Sequence, residues 1–244
     1  MNVDESIHLL LLSPQVIPRS LFYRSVRMPR PILYTAEMSP PCRAVLLAAE
    51  AIGVQLEKRE ISIFNRDQLQ ESFQKINPQH TIPTLDDNGH IIWDSHAIIC
   101  YLCDKYGRDD SLYPKDLERR AIIDQRLYFD CGILFALLRG IAFSIFVHNQ
   151  TTIPEDKIEF VKEGYDFMNK FLHGKKWLAG DSYTLADISC VASISSLDAF
   201  VPVAPYPNVA RWLKICEEEL PGYARANGPG VKMFHEYFRA KLQP

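Results

Sequence analysis

The chain has 244 residues, of which 47% are hydrophobic and 23% are charged, and its formal net charge at pH 7 is -3. This is the composition of a globular protein long enough for two small domains. The slight negative charge gives no electrostatic case for a nucleic-acid or anionic-membrane partner. The longest apolar run near the start, His8-Leu9-Leu10-Leu11-Leu12, is too short to span a bilayer.

The cysteines are spread along the chain and follow no framework pattern. They are Cys42, Cys100, Cys103, Cys131, Cys190 and Cys216. A chain of this length buries a core without disulfides, so we interpret them as reduced thiols and predict a cytoplasmic protein. Cys100 and Cys103 have the spacing of half a metal site, but no second pair follows and their surroundings are apolar, so no metal is predicted.

Residues 1–29 fit no globular pattern. We predict that they form a disordered extension, or a segment upstream of a second start at Met28. A mitochondrial presequence is the alternative, because arginines recur at positions 19, 24 and 27. The acidic pair Asp4-Glu5 counts against it, since such presequences avoid acids, and no small-residue cleavage site supports a secretory signal.

From residue 30 the elements alternate. The predicted strands are 31–35, 54–61, 82–85 and 90–93, and the predicted helices are 40–52, 66–76 and 95–106. Gly53 ends the first helix, Asn77-Pro78 stops the second, and Ser95 caps the third. The turn Asp87-Asn88-Gly89 joins the last two strands as a hairpin. This order predicts an α/β domain with a central sheet over residues 30–108.

The second half shows only helical patterns. A break at 107–111 precedes a long helix over about 117–147. Further helices are predicted at 155–173, from the cap Thr184 onward, at 209–219 and at 230–241, after the break Asn227-Gly228-Pro229-Gly230. Thr184-Leu185-Ala186-Asp187 is a capping-box pattern with a structural role. Residues 115–244 are therefore predicted to form an all-helical domain.

Ser39-Pro40-Pro41-Cys42-Arg43 is the most informative motif, because it lies between a strand and a helix. Ser is a favoured N-cap residue and Pro suits the first helical position. The positive helix end beside Ser39 could hold an anion, such as a thiolate. A plain N-cap explains Ser39 equally well. In the related C-x-x-C redox motifs the first position is the activated one, so we expect Cys42 to be packed.

Two further segments lie where a strand meets a turn or a helix. Asn77-Pro78-Gln79-His80-Thr81-Ile82-Pro83 predicts a tight turn, with a cis bond before Pro83, that leaves the backbone groups of Ile82 free for a peptide ligand. An edge-strand turn is the alternative. Asp94 and Ser95 at a helix start could take an ammonium and a carboxylate, as on a γ-glutamyl group. A simple capping pair also explains them.

Together these motifs resemble the cytosolic glutathione transferases, with the insect epsilon class nearest and delta as neighbour. The matching segments are Leu33-Tyr34-Thr35, Ser39 to Val45, Asn77 to Pro83, Leu85 to Gly89, Asp94 to Ile98 and Asp109 to Asp116. The resemblance spans about residues 31–244. It implies a thioredoxin-like N-terminal domain, an all-α C-terminal domain, glutathione as co-substrate, no metal, and a homodimer.

By this resemblance Ser39 is the catalytic residue and stabilises the glutathione thiolate. The residues expected to bind glutathione are Gln68, His80, Ile82, Pro83, Asp94, Ser95, His96 and Arg139. Two positions depart from the class, which often has His at Gln68 and Glu at Asp94. Gln68 cannot carry a charge, so its grip on a carboxylate is expected to be weaker. Tyr34 is interpreted as a packing residue.

An apolar pocket for a small hydrophobic electrophile is expected beside Ser39. Its candidate residues are Met38, Pro40, Phe135, Leu138, Ala142, Phe146 and Phe234. The expected activity is glutathione conjugation in detoxification, with dehydrochlorinase or peroxidase side activity. Core packing is the alternative for each of these residues.

Two other functions stay open. The same fold could sequester hydrophobic ligands without turnover, as a ligandin-like protein, and Gln68 favours that reading. The chain could also be a glutaredoxin-like reductase that works through Cys42.

Overall fold

The computed structural model describes residues 30–242. The extension predicted at 1–29 lies outside the described residues, as do residues 243 and 244. The sheet has strands β1 (Ile32–Thr35), β2 (Glu57–Glu60), β3 (Thr84–Asp87) and β4 (His90–Trp93) in the order β2-β1-β3-β4. Strands β1 and β2 are parallel, and the other two pairings are antiparallel.

Helices cover the sheet and make up most of the remaining described chain. They are α1 (Pro40–Ile52), α2 (Glu71–Gln74), α3 (Ser95–Tyr106), α4 (Leu117–Phe129), α5 (Phe135–His148), α6 (Glu155–Phe171), α7 (Leu185–Leu197), α8 (Pro207–Glu219), α9 (Tyr223–Ala226) and α10 (Gly228–Lys241). This is the predicted architecture: a thioredoxin-like mixed sheet with its helices, followed by a helical unit.

The strand register brings four segments to one end of the sheet. Thr35 at the end of β1 lies opposite Glu60 at the end of β2. Thr84 at the start of β3 pairs with Tyr34, the residue before Thr35, on one side and with Trp93, the last residue of β4, on the other. The chain therefore leaves or enters the sheet at this end before Ser39, after Glu60, at Pro83 and after Trp93. All four of these segments contain predicted site residues.

Several predicted boundaries were wrong in detail. The helix expected over 66–76 is a short 3-10 turn, Asp67–Leu69, followed by α2, because Gln70 has an extended backbone (φ -70°, ψ 142°) that separates them. Ser95 is the first helical residue of α3 rather than its cap. The N-cap is Asp94, whose carboxylate accepts hydrogen bonds from the backbone N–H groups of His96 and Ala97.

The strands and the last helices also differ from the prediction. β2 is limited to Glu57–Glu60, and β3 begins at Thr84, after the turn that holds Pro83. The short helix α9 had no distinct signal. Asn227-Gly228-Pro229-Gly230 is the start of α10 and not a break before it, since Pro229 occupies the first turn of that helix, where its missing N–H costs nothing.

The long helix predicted at 117–147 runs from Leu117 to His148 and contains one π-helical turn, Asp130–Leu134. By length and composition alone it could cross a membrane, since its most apolar 18-residue window has a mean hydropathy of 1.9. It packs instead against α6 and α7 as part of the helical core. The π turn matters for the site because it carries Asp130 and Cys131.

Helix α7 is the centre of the helical unit, and every one of its residues is buried. The predicted capping box is confirmed: Thr184 accepts from the N–H of Ala186, and Asp187 accepts from the N–H of Thr184. Asp187 also accepts from the Trp212 indole N–H at 2.9 Å. Burial raises the pKa of Asp187, while these hydrogen bonds act in the opposite direction.

Arg43 joins the sheet unit to the helical unit. This α1 side chain is fully buried, and its guanidinium donates hydrogen bonds to the Asn227 amide oxygen and the Ser196 hydroxyl. Burial lowers its pKa to about 10. Its partners are neutral groups, so the cation is held by hydrogen bonds and packing rather than by an ion pair. Gly230 fits against it because a Cβ there would lie 2.5 Å from the Arg43 Cδ.

We expect Arg43→Ala to lower the free energy of unfolding by about 3 kcal/mol, because it leaves a cavity and removes the donor from a buried amide oxygen. Urea denaturation measures this. Arg43→Met, which refills much of the space, should lose less. The exposed Arg239→Ala is the control and should stay within about 0.5 kcal/mol of the wild type. An Arg43→Ala protein as stable as this control would contradict the assignment.

Candidate active site

Ser39 is the N-cap residue of α1, but its hydroxyl makes no capping hydrogen bond. A capping hydroxyl accepts from the second or third N–H of the helix. The first two helical residues are Pro40 and Pro41, which have no N–H to offer. The Ser39 backbone does the structural work: its N–H donates to Ala36 at 3.0 Å and its carbonyl accepts from Arg43 at 3.0 Å. The hydroxyl is therefore not needed to hold the helix.

The same two prolines revise the expectation for the helix end. Of the N–H groups in the first turn of α1, only that of Cys42 remains for a ligand before the regular helical hydrogen bonds begin. Anion binding at Ser39 therefore depends on the hydroxyl and on the helix dipole more than on a set of free N–H groups.

Cys42 lies beneath Ser39 and is completely buried. Burial raises the pKa of its thiol, even though the hydroxyls of Ser39 and Thr35 lie beside the sulfur. A thiol in this environment is neutral and inaccessible, which is the opposite of a reactive cysteine. Cys42 is a packing residue, as expected.

The turn before β3 has the predicted form, and the Ile82–Pro83 peptide bond is cis. The buried Asn77 holds this turn, since its amide N–H donates to the Thr81 carbonyl at 3.1 Å and the Thr84 hydroxyl at 2.9 Å. Within residues 30–242 the backbone N–H and carbonyl of Ile82 make no hydrogen bond. His80 is exposed beside it, with a positive φ of 47°.

The start of α3 holds a charged cluster. The His96 ring lies between two carboxylates: its Nδ1 is 3.2 Å from Asp94 Oδ1 and its Nε2 is 3.0 Å from Asp130 Oδ2. Burial lowers the pKa of His96, but the two carboxylates outweigh that effect and raise it to about 10. The imidazolium in turn lowers the pKa of Asp94. Asp94 is exposed and could bind an ammonium group, whereas Ser95 is buried.

An apolar cavity of about 210 Å³ opens beside Ser39, between the β1–α1 segment and helices α5 and α10. All seven residues predicted for the electrophile pocket line it, together with Ser39, Ile82 and Arg139. The remaining lining residues are Pro41, Ile63, Phe143 and Phe238. The predicted residues are thus brought together around one space that adjoins the hydroxyl.

An aromatic cluster adjoins this cavity and joins three separate elements. Phe64, from the segment after β2, contacts Phe146 of α5 and Tyr237 of α10, with ring centroids 5.2 Å and 5.5 Å away. Phe64 is 55% exposed, so this contact leaves one side of the ring in solvent. Gln68 follows on the same segment, and its amide oxygen is buried without a hydrogen-bond partner within the described residues.

Known proteins match this arrangement along most of the chain. Residues 33–110 match the family model "Glutathione S-transferase, N-terminal domain", and residues 134–219 match "Glutathione S-transferase, C-terminal domain". Glutathione S-transferase 1 of Manduca sexta is 44% identical over 86% of this chain and 98% of its own length. The chain belongs to the glutathione S-transferase family.

Solved structures place this transferase in the insect delta and epsilon group. An epsilon-class enzyme from the housefly, Musca domestica, superposes with a TM-score of 0.85 at 45% identity, covering 88% of this chain and 100% of that one. A homologue from Drosophila mojavensis that was solved with bound glutathione has a TM-score of 0.84 at 44% identity, covering 87% and 98%. The family resemblance seen in the sequence is confirmed.

Sequence reasoning missed the residues that tertiary structure adds to this glutathione transferase site. Phe64 and Tyr237 had no signal, because one lies in a connecting segment and the other is one of several aromatic residues in the last helix. Asp130, in contrast, has a signal in the sequence that could have identified it. It is the single acid in the apolar stretch 127–138, and a lone carboxylate there needs a buried polar partner, which is His96.

We expect Phe64→Ala to weaken binding of an apolar probe at the cavity by about fivefold to tenfold, because it removes one wall of the aromatic cluster. Fluorescence titration with an anilinonaphthalene dye measures the change. Phe160→Ala removes a similarly exposed ring from α6, away from the cavity, and is the matched control. Equal affinities for both variants would show that the cluster does not shape the binding site.

Proposed function

We propose that this enzyme activates glutathione as a thiolate through the Ser39 hydroxyl and conjugates it to small hydrophobic electrophiles. The observation that carries the proposal is the position of that hydroxyl. The hydroxyl makes no capping hydrogen bond, lies at the positive end of α1 and lines the apolar cavity.

The chemistry requires a lowered thiol pKa. A free thiol with a pKa of about 8.5 is only a few per cent ionised at pH 7. The thiolate is the nucleophile, and each unit of pKa depression corresponds to about 1.4 kcal/mol of preferential thiolate binding. A hydroxyl that donates a hydrogen bond to the sulfur, beside a helix N-terminus, supplies stabilisation of this kind.

The other predicted residues would each bind one part of the glutathione tripeptide. The backbone groups of Ile82, which make no hydrogen bond within the described residues, would hold the cysteinyl part in an extended form, with Pro83 in the turn that follows. His80 and Gln68 would bind the glycyl end. Asp94, Ser95 and His96 would bind the γ-glutamyl end, whose ammonium matches the exposed Asp94 carboxylate. Arg139, on the cavity wall, would help to close the site.

The cavity then holds the electrophile against the sulfur. Its wall is apolar apart from Ser39 and Arg139, so it favours hydrophobic compounds such as organochlorines, isothiocyanates and lipid-derived aldehydes. Detoxification in the cytoplasm is the role that such a substrate range supports. Dehydrochlorinase or peroxidase side activity would use the same thiolate.

We expect Ser39→Ala to lower kcat/KM for a generic aryl halide by about 10²-fold, as for loss of one hydrogen bond to a reacting anion. Glutathione should still bind, because the remaining contacts lie elsewhere. Ser111→Ala, at an exposed serine of the linker, is the matched control and should keep full activity. A fully active Ser39→Ala enzyme would overturn the role of Ser39.

Two alternatives predict different results in the same assay. A ligandin-like protein would bind hydrophobic ligands with negligible turnover in the wild type itself. A reductase acting through Cys42 would show no conjugation in that assay; it would form a mixed disulfide at Cys42, and its reductase activity would be lost in Cys42→Ser and kept in Ser39→Ala. Complete burial of Cys42 argues against the second alternative.

We also infer a homodimer. Leu117 and Tyr128 lie eleven positions apart on α4, about three turns, and so share one face of that helix. They are 80% and 77% exposed. Large apolar side chains on one exposed face are typical of an interface, and a second copy of this chain is the partner that the family resemblance implies.

Light scattering tests this inference. The wild type should have twice the chain mass of 28.0 kDa. Tyr128→Glu should shift the equilibrium toward the monomer, because it would bury a charge in the interface. Phe160→Glu, at an exposed apolar side chain on another helix, should leave the mass unchanged. A monomeric wild type, or a Tyr128→Glu protein that stays dimeric, would contradict the inferred interface.

A further inference from the structure

A second cluster of reactive side chains lies where α3 meets the π turn. Asp94, His96 and Cys131 each offer a metal-ligating atom, and these atoms all lie within 4.8 Å of one another. All six cysteines fall within the described residues, and Cys131 is the exposed one among them. The spacing of these residues in the sequence does not predict a metal site, because the packing of two helices brings Cys131 to Asp94 and His96.

The ligand types and their spacing suit zinc. Carboxylate oxygen, imidazole nitrogen and thiolate sulfur are the three kinds of ligand that Zn²⁺ takes in proteins. With bonds of about 2.0–2.2 Å, two ligands of a tetrahedral site lie roughly 3.3 Å apart. The Asp94 Oδ1 to His96 Nδ1 separation of 3.2 Å already has that length.

A buried carboxylate contacts the ring nitrogen of His96 that faces away from the proposed metal position. Asp130 Oδ2 lies 3.0 Å from His96 Nε2 and also accepts a hydrogen bond from the Ser189 hydroxyl. Asp130 is only 2% exposed, and its Oδ1 has no hydrogen-bond partner within residues 30–242. A carboxylate on the far ring nitrogen is the usual second partner of a zinc-binding histidine, because it keeps the proton on that nitrogen and leaves the other one for the metal.

The charges around the ring also favour a cation. Asp94 and Asp130 lie on opposite sides of the imidazole, so two carboxylates flank one ring. A divalent cation bound to His96 Nδ1 and Cys131 Sγ would displace the protons that those atoms carry, and the protons would pass to solvent.

We propose that Asp94, His96 and Cys131 form a binding site for a divalent cation of the zinc type, with three protein ligands and one open position. The site uses Asp94 and His96, both of which the proposed function assigns to the γ-glutamyl end of glutathione, with Asp94 on its ammonium. Metal and glutathione would then compete for these side chains, so the metal would act as an inhibitor. Only this competition rests on the proposed function; the metal site itself does not.

Cobalt titration of the full-length protein, after removal of metals with a chelator, tests the site directly. Co²⁺ bound to a thiolate gives a charge-transfer band in the near ultraviolet, and added Zn²⁺ should abolish it. We expect a saturable band in the wild type and in Cys100→Ser, and none in Cys131→Ser. By calorimetry, Zn²⁺ affinity should fall at least tenfold in Cys131→Ser. No saturable band in the wild type, or the same band in Cys131→Ser, would overturn the proposal.

S-methylglutathione separates the two proposals, because its blocked sulfur binds metal poorly. Its presence should weaken Zn²⁺ binding to the wild type. Zinc binding that is intact but insensitive to S-methylglutathione would overturn the inference that zinc and glutathione compete at Asp94. It would leave the metal site itself unaffected. Binding of S-methylglutathione without any zinc binding would overturn the metal site and leave the proposed function untouched.

Discussion

The buried guanidinium of Arg43 fixes the geometry of the cleft. Arg43 lies on α1, one turn after Ser39, and its guanidinium donates hydrogen bonds to Asn227 and Ser196 in the helical unit. The same helix that positions the candidate catalytic hydroxyl is therefore tied to α7 and to the start of α10. Because α10 contributes Phe234 and Phe238 to the cavity wall, this side chain links the helix that carries the hydroxyl to a helix that lines the pocket.

Arg43 makes no ion pair within residues 30–242, and burying such a cation is costly, as its lowered pKa reflects. The guanidinium offers something that an apolar side chain cannot, since its planar donors reach two fixed acceptors at once. A hydrophobic contact would tolerate sliding of α1 against α7. A forked pair of hydrogen bonds holds one position, which a site built across the two units requires.

The sheet supplies the other half of the site by register alone. Because β1 runs parallel to β2 and antiparallel to β3, the segments of Ser39, Gln68, Pro83 and Asp94 come to one end. Each segment then does one local task. The Ser39 hydroxyl makes no capping hydrogen bond, the turn at Pro83 leaves the Ile82 backbone without a hydrogen bond within residues 30–242, and the Asp94 cap starts α3 with a carboxylate near His96.

Much of this could be predicted from the sequence, because the strand and helix signals are local and the motifs have distinctive spacings. The limits of the long helix, the capping box at Thr184 and the cis turn at Pro83 were predicted on that basis. Prediction was wrong where competing local signals are close in strength. Gln70 breaks a helical pattern through its backbone conformation, and Asp94 rather than Ser95 is the cap because its carboxylate reaches two N–H groups.

What could not be predicted depends on contacts between distant segments. Nothing near Arg43 in the sequence indicates that its side chain is buried. Its partner Asn227 lies 184 positions further along the chain. The aromatic cluster at Phe64 has the same origin, because its side chains come together only when the helical unit packs onto the sheet. Asp130 stands out in the sequence as a lone acid in an apolar stretch, but its partner His96 is revealed only by the fold.

The central claim is that Ser39 lowers the pKa of the glutathione thiol, and the pKa of bound glutathione tests it most directly. Thiolate absorbance in the ultraviolet, followed against pH in the enzyme complex, reports that value. The account predicts a pKa well below the free value of about 8.5 in the wild type and a return toward it in Ser39→Ala. A bound thiol with the same depressed pKa in both proteins would contradict the account and move thiolate stabilisation to another group.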